Sequence, residues 1–327
     1  MEWVKTAVSM VLIVSMAMAS WGCDREQSDH DDDVYKVVAT TTMLEDLVRQ
    51  LGAEHVEVEG LVSVGGDPHV YQPRPGDART VAESDAVVMN GLLLEGWMEN
   101  LVRHAGGERP VIVAGDAIDE QQLLRVEGAV DPHIWFDVGM WRQVSEEVAD
   151  GLVELAGGDE EFATSVRSRH AQYDEILRDL DGWIQDRLES IPAERRVLVT
   201  SHDAFNYFGQ AYDIDVEAVQ GLSTEQEASQ RDVASIIELV RERGAPAVFT
   251  ETSVHPGLIE QVARETGIEK AGPLYSDSVG PPDSDAHTYV GMVQANIKMI
   301  TEALGGEYEA FDDGALLAGE GEAGDEV

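Results

Sequence analysis

The chain has one cysteine and four lysines in 327 residues. A single cysteine rules out an internal disulfide and a cysteine-based metal site. The lysines are Lys5, Lys36, Lys270 and Lys298. Arginine supplies the other 18 cationic residues against 64 acidic ones, for a net charge of −42. Nucleic acid is excluded as a partner, because phosphate contacts need a basic face. The acidic residues are spread along the chain. They therefore read as a solvating surface suited to a high-salt habitat, where salt screens their mutual repulsion, rather than as a calcium sponge. The denser runs at Asp29–Asp33 and near the C-terminus read as solvated tails.

The N-terminal apolar run from Ala7 to Ala19 follows Lys5 and is too short to span a bilayer, which needs about 20 residues. It fits the core of an export signal. It ends at Ser20-Trp21-Gly22-Cys23, which resembles the lipobox of bacterial lipoproteins, with Ser20 where leucine is usual. The expectation is a signal peptide over 1–22, acylation of Cys23, and an acidic tether over 23–34. The mature protein would then be extracytoplasmic, in the periplasm or at the cell surface.

Hydrophobic residues make up 43% of the chain, enough for cores, and the length fits about two domains. Short apolar runs alternate with helical patterns: Val37–Thr40, Val56–Leu61, Ala86–Met89 and Val111–Val113, then Arg196–Thr200, Ala247–Thr250 and a run ending at Leu274-Tyr275-Ser276-Asp277. This alternation predicts parallel, doubly wound sheets. Between the two sets lie two long helical stretches broken near Gly157-Gly158. In the second, Phe162, Val166, Tyr173, Leu177, Leu180 and Ile184 recur at helical spacing, and the stretch ends at Ile191-Pro192. The expected fold is α/β: two lobes, each with a parallel sheet flanked by helices, joined by one long helix. The boundaries are 35–157 for the first lobe, 158–190 for the linking helix, 191–309 for the second lobe, and 310–327 for a disordered acidic tail.

Three histidines share a local setting. His69 closes Gly66-Asp67-Pro68-His69, His133 lies in Asp131-Pro132-His133-Ile134-Trp135, and His202 follows the strand Val197–Thr200. His69, His202 and Asp277 fall at carboxyl ends of strands, where open α/β sheets bind ligands. Three imidazoles and a carboxylate suit a first-row divalent cation such as Zn²⁺, whereas Ca²⁺ and Mg²⁺ want mostly oxygen. Glu251 is a loop acid that could back a ligand imidazole, or be a surface carboxylate. His30, His55, His104 and His170 have no assigned role. His255 and His287 fall in loops near the expected crevice, as surface residues or second partners.

Taken together, these motifs resemble the metal-specific solute-binding proteins of bacterial ABC importers, the zinc- and manganese-binding group. The resemblance runs from about Val37 to Leu304. It rests on Gly66–His69 with Tyr71 and Pro75-Gly76-Asp77, on Asn90-Gly91-Leu92 through Glu95-Gly96-Trp97, and on Asp131–Trp135. It continues through Ser201–Phe205 with Tyr207-Phe208, Tyr275–Ser278, and Thr288-Tyr289. The resemblance implies that His69, His133, His202 and Asp277 bind one ion in the cleft between lobes, and that a rigid linking helix keeps lobe movement small. It also implies capture of Zn²⁺ or Mn²⁺ for an importer permease and its ATPase, by a lipid-anchored monomer without enzymatic activity. His202 stands where some manganese-selective members place Glu. Gly115–Val130 is acidic and lacks the His-rich loop of some zinc-selective members. The donor set is nearest the treponemal type, associated with both metals. The rival readings are a secreted zinc hydrolase, for which no motif such as His-Glu-x-x-His is present, and an adhesin-like surface lipoprotein.

Overall fold

The computed structural model describes residues 34–312. The export signal, Cys23, the tether through residue 33 and the tail after residue 312 lie outside the described residues. No helix of the described residues is long and apolar enough to cross a membrane.

The first lobe begins with β1 (Tyr35–Ala39) and α1 (Thr42–Gly52), followed by a 3-10 turn at Ala53–His55 and β2 (Val56–Gly60). The lobe continues through α2 (Pro75–Glu83), β3 (Ala86–Met89), α3 (Met98–Ala105) and β4 (Val111–Val113). The Thr41 hydroxyl accepts the Leu44 amide at 3.3 Å and so starts α1. The strands lie in the order β2-β1-β3-β4, all parallel. A parallel sheet must be covered on both faces, so its inner strands are apolar on both sides. Val37 and Ala39 accordingly face the main core, while Val38 faces a second cluster with Val81, Met98 and Leu101 from α2 and α3.

A short hairpin, β5 (Arg125–Val126) and β6 (Ala129–Val130), leads to a 3-10 turn at Ile134–Phe136 and to α4 (Val138–Leu155). Next comes α5 (Glu160–Glu189), the linking helix, whose 30 residues span about 45 Å. Asp159 caps it by accepting the Glu161 and Phe162 amides. Its buried stripe includes the six residues read from the sequence, plus Ala163 and Leu188. The stripe packs against α1 and α4 at one end and against the second lobe at the other.

The second lobe contains β7 (Val197–His202), α6 (Asn206–Tyr212), β8 (Asp215–Gln220), α7 (Gln230–Arg243), β9 (Ala247–Glu251), α8 (Gly257–Thr266), β10 (Glu269–Leu274) and α9 (Tyr289–Leu304). β7 pairs with β8 and β9 with β10, both in parallel, and β7 lies against β9. One expectation is corrected. The last strand stops at Leu274 instead of continuing to Asp277, so Asp277 sits on the loop beyond it. The break follows from the side chains: Asn296 takes the backbone of Tyr275 in place of a neighbouring strand, accepting its amide at 2.9 Å and donating to its carbonyl at 2.8 Å. After α9 the chain runs back along α5, where the Trp183 indole donates to the Glu309 carbonyl and Phe311 packs on the Trp183 ring.

The lobes meet through buried side chains as well as through α5. The Tyr289 amide donates to Asp46 of α1 at 2.8 Å, and the Tyr289 hydroxyl donates to the Trp135 carbonyl at 2.8 Å. The Trp135 indole donates to the Ser276 carbonyl at 2.9 Å, and Thr42 accepts the Val279 amide.

Candidate metal centre

Four side chains, two from each lobe, converge in one place. His69 lies on the irregular segment 61–74 after β2, and His133 precedes the turn into α4. His202 ends β7, and Asp277 follows β10. One donor atom from each lies within 4.8 Å of the other three. His133 and His202 are fully buried, Asp277 is 1% exposed, and His69 is the outermost at 8%.

Each group is aimed by its neighbours. The two Asp-Pro-His turns begin alike: the Asp67 carboxylate accepts the His69 amide at 2.9 Å, and that of Asp131 accepts the His133 amide at 3.0 Å. Asp131 also reaches the His133 ring at 2.7 Å from Nδ1. A carboxylate at Nδ1 holds the proton there and leaves Nε2 as a lone-pair donor. Glu251 treats His202 the same way: Oε1 accepts the Ser201 and His202 amides at 2.7 and 3.0 Å, and Oε2 meets Nδ1. Glu251 is buried at the end of β9 rather than in a loop. Asp277 Oδ2 accepts the Ser253 and Ser276 hydroxyls at 2.6 and 3.1 Å, which leaves Oδ1 pointing inward.

Two of the four inward-facing atoms are under-satisfied. His202 Nε2 and Asp277 Oδ1 are buried without a hydrogen-bond partner, 3.4 Å apart. His69 Nε2 and His133 Nε2 stand 3.2 Å apart, within hydrogen-bond reach of each other, with the tautomer deciding which one donates. Buried polar atoms are nearly always paired, so this cluster has the form of a cage for a cation. Charge agrees with that. Burial, and then His133, pushes the His69 pKa down to about 3, so its ring is a neutral donor. Burial would also lower His202, but the carboxylates of Glu251 and Asp277 outweigh it and hold the imidazolium well above its usual range. Burial would raise Asp277, but His202, with His69 and His133, outweighs that and keeps it ionised far below the usual carboxylate range.

All four residues that sequence reasoning selected are therefore in one place, with Glu251 behind one of them. His255 and His287 are exposed, at a helix start and a loop turn. Sequence reasoning missed Asp131, the two serines that hold Asp277, and Asn206, whose amide donates to Asp131 across the lobes at 3.0 Å. A signal for Asp131 was present, since an aspartate two residues before a histidine in a Pro-containing turn is placed to bond that histidine's own amide.

A family model described as zinc-uptake complex component A, periplasmic, matches residues 37–303. The manganese-binding lipoprotein MntA of Bacillus subtilis is 35% identical over 304 residues, covering 91% of this chain and 98% of its own length. The zinc-binding protein TroA of Treponema pallidum is 37% identical over 274 residues, covering 82% of this chain and 88% of its own. The solved structure of TroA superposes with a TM-score of 0.79 at 35% identity over 83% of this chain and 99% of that one. The metal ABC transporter substrate-binding lipoprotein SsaB of Streptococcus sanguinis is 27% identical over 289 residues, covering 86% of this chain and 93% of its own. With a family model spanning most of its length and relatives above 30% identity aligned nearly end to end, this chain belongs to the periplasmic zinc-uptake component A family of metal-binding solute-binding proteins.

Proposed function

We propose that this protein captures one Zn²⁺ or Mn²⁺ ion between its lobes and delivers it to the permease and ATPase of an ABC importer. His69, His133, His202 and Asp277 are the ligands, and Asp131 and Glu251 orient two of the imidazoles. The observation that carries this reading is the convergence of four buried donor atoms, three imidazole nitrogens and a carboxylate oxygen, within 4.8 Å of one another. Three nitrogens and an oxygen bind first-row cations in the order that favours Zn²⁺ over Mn²⁺. Four protein donors fill a tetrahedral Zn²⁺ site and leave little room for a hydrolytic water, so the site stores an ion rather than activating one. The lobes are bounded at 35–157 and 191–309, with 158–190 as the linker, and the chain acts as a monomer.

Titration calorimetry of the metal-free protein tests this reading. One ion per chain is expected for Zn²⁺, displaceable by Mn²⁺ only in excess. At pH 7 the raised pKa of His202 leaves the metal-free protein a proton there that the ion must displace. Binding should release about one proton, seen as an enthalpy that changes with the ionisation heat of the buffer. The sign follows: affinity falls as pH drops. In the metal-free form, the stability due to His202 is full below about pH 6.5, its ordinary value, and is lost as pH rises through the raised one. Absence of binding by either ion would end the capture reading. Identical enthalpies in different buffers would refute only the proton.

We also propose acylation at Cys23, motivated by its place after the export signal. Cys23→Ala should move the protein from the membrane fraction to the soluble one, and unchanged fractionation would remove the anchor.

A further inference from the structure

The two Asp-Pro-His turns begin alike and diverge. Asp131 turns its carboxylate onto its own histidine ring, whereas Asp67 points its second oxygen across the cleft. The Thr224 hydroxyl, in the segment between β8 and α7 of the second lobe, donates to Asp67 Oδ2 at 2.6 Å. Asp67 thus grips the His69 amide with one oxygen and the opposite lobe with the other.

His69 is also where an ion can come and go. It is the outermost of the four groups, and a cleft of about 520 Å³ opens onto it between Tyr71, Trp97, Leu222 and Ser223. The segment that carries it has no helix or strand between residues 61 and 74. On its own lobe, that segment is held by the Trp97 indole, which donates to the Pro68 carbonyl at 2.9 Å, and by the Tyr71 hydroxyl, which donates to Asp77 of α2 at 2.7 Å. Toward the other lobe it is held by the Gly65 amide, which donates to the Ser278 hydroxyl at 2.8 Å, and by Asp67–Thr224. Of the two links to the other lobe, only Asp67–Thr224 is charge-assisted, and it sits two residues from the ligand.

Building on the four-donor site proposed above, we propose that Asp67 and Thr224 form a latch that holds His69 across the cleft and sets the rate at which the bound ion leaves. They are positioning residues: neither contributes a donor to the cage. An ion can exit past His69 only when that turn swings outward, and the turn cannot swing while its carboxylate is bonded to the far lobe.

The test is release of Zn²⁺ and of Mn²⁺ into excess chelator, followed by stopped flow, for the parent, Thr224→Val and Thr224→Ser. Valine keeps the shape and removes the donor, while serine keeps the donor. Loss of a hydrogen bond to a partly exposed charged group should speed release about tenfold in Thr224→Val, with little change in the association rate. Thr224→Ser should release at the parental rate. Asp67→Asn, which keeps an oxygen for the turn but drops the charge, should fall between and gives a second reading should the valine variant fold poorly. Parental release from Thr224→Val and Asp67→Asn would overturn the latch, as would a serine variant as fast as the valine one. A parent that binds neither ion would instead remove the site on which the latch rests.

Discussion

His133→Ala should bind Zn²⁺ at least a hundredfold more weakly than the parent, while His55→Ala should match it. Four-ligand structural zinc sites are worth about 10–16 kcal/mol at neutral pH, so an average ligand carries about 3 kcal/mol, or more than two decades in Kd. His133 is worth at least that average. Its ring is held from behind by Asp131, whose other oxygen is held by Asn206 of the second lobe, so the donor is fixed before the ion arrives. Water cannot easily replace it, because His133 is fully buried. His55 is the proper control. It precedes β2 while His69 follows it, so the two lie at opposite ends of that strand, and the His55 ring packs on Phe162 at 5.4 Å. Calorimetry with both variants decides the matter, and equal affinities would sink the ligand assignment.

The contrast between these two histidines shows what a sequence exposes. His55 and His133 are alike as residue types, and only their settings separate them: one lies in a polar run, the other in Asp131-Pro132-His133-Ile134-Trp135. The inner strands β1, β3, β7 and β9 were legible because a parallel strand covered on both faces is an unbroken apolar run. β8 was not: its residues, Asp215 to Gln220, are partly exposed and carry two acids, a pattern shared with many loops. The end of β10 was placed three residues too late because Leu274 and Tyr275 are good strand formers, and the decisive contact, Asn296 to Tyr275, comes from a distant helix. The site divides in the same way. The four converging groups lie at or just beyond strand ends and in short local turns, which are local features. What holds them in place is mostly non-local: Glu251 to His202 spans 49 positions, Asn206 to Asp131 spans 75, and Thr224 to Asp67 spans 157. A single sequence carries no record of such pairings.

The other large effect should come from the joint between the lobes. Trp141 of α4 is 1% exposed and stacks on Tyr289 of α9, with ring centroids 4.6 Å apart at 17°. Its indole nitrogen lies 3.4 Å from the Tyr173 hydroxyl of α5. Three helices, one from each part of the molecule, therefore meet at one side chain. Trp141→Ala should cost about 3–5 kcal/mol through lost burial and the cavity left behind. It should lower the thermal midpoint of the metal-free protein by roughly 5–15 °C. Trp141→Phe, which keeps the stack, should recover most of that loss. The cage itself touches Tyr289 only indirectly, through the Trp135 carbonyl, so the alanine variant should still gain stability when the ion is added. His133→Ala should differ in its response: it also melts below the metal-free parent, because it leaves buried Asp131 without its ring partner, but it gains little from the ion. Melting curves of both variants with and without Zn²⁺ thus separate the joint from the cage. If Trp141→Ala melted like the parent, the joint would owe its stiffness to α5 alone. If it lost its response to the ion as well, the lobes would need this stack to bring the four donors within reach of one another.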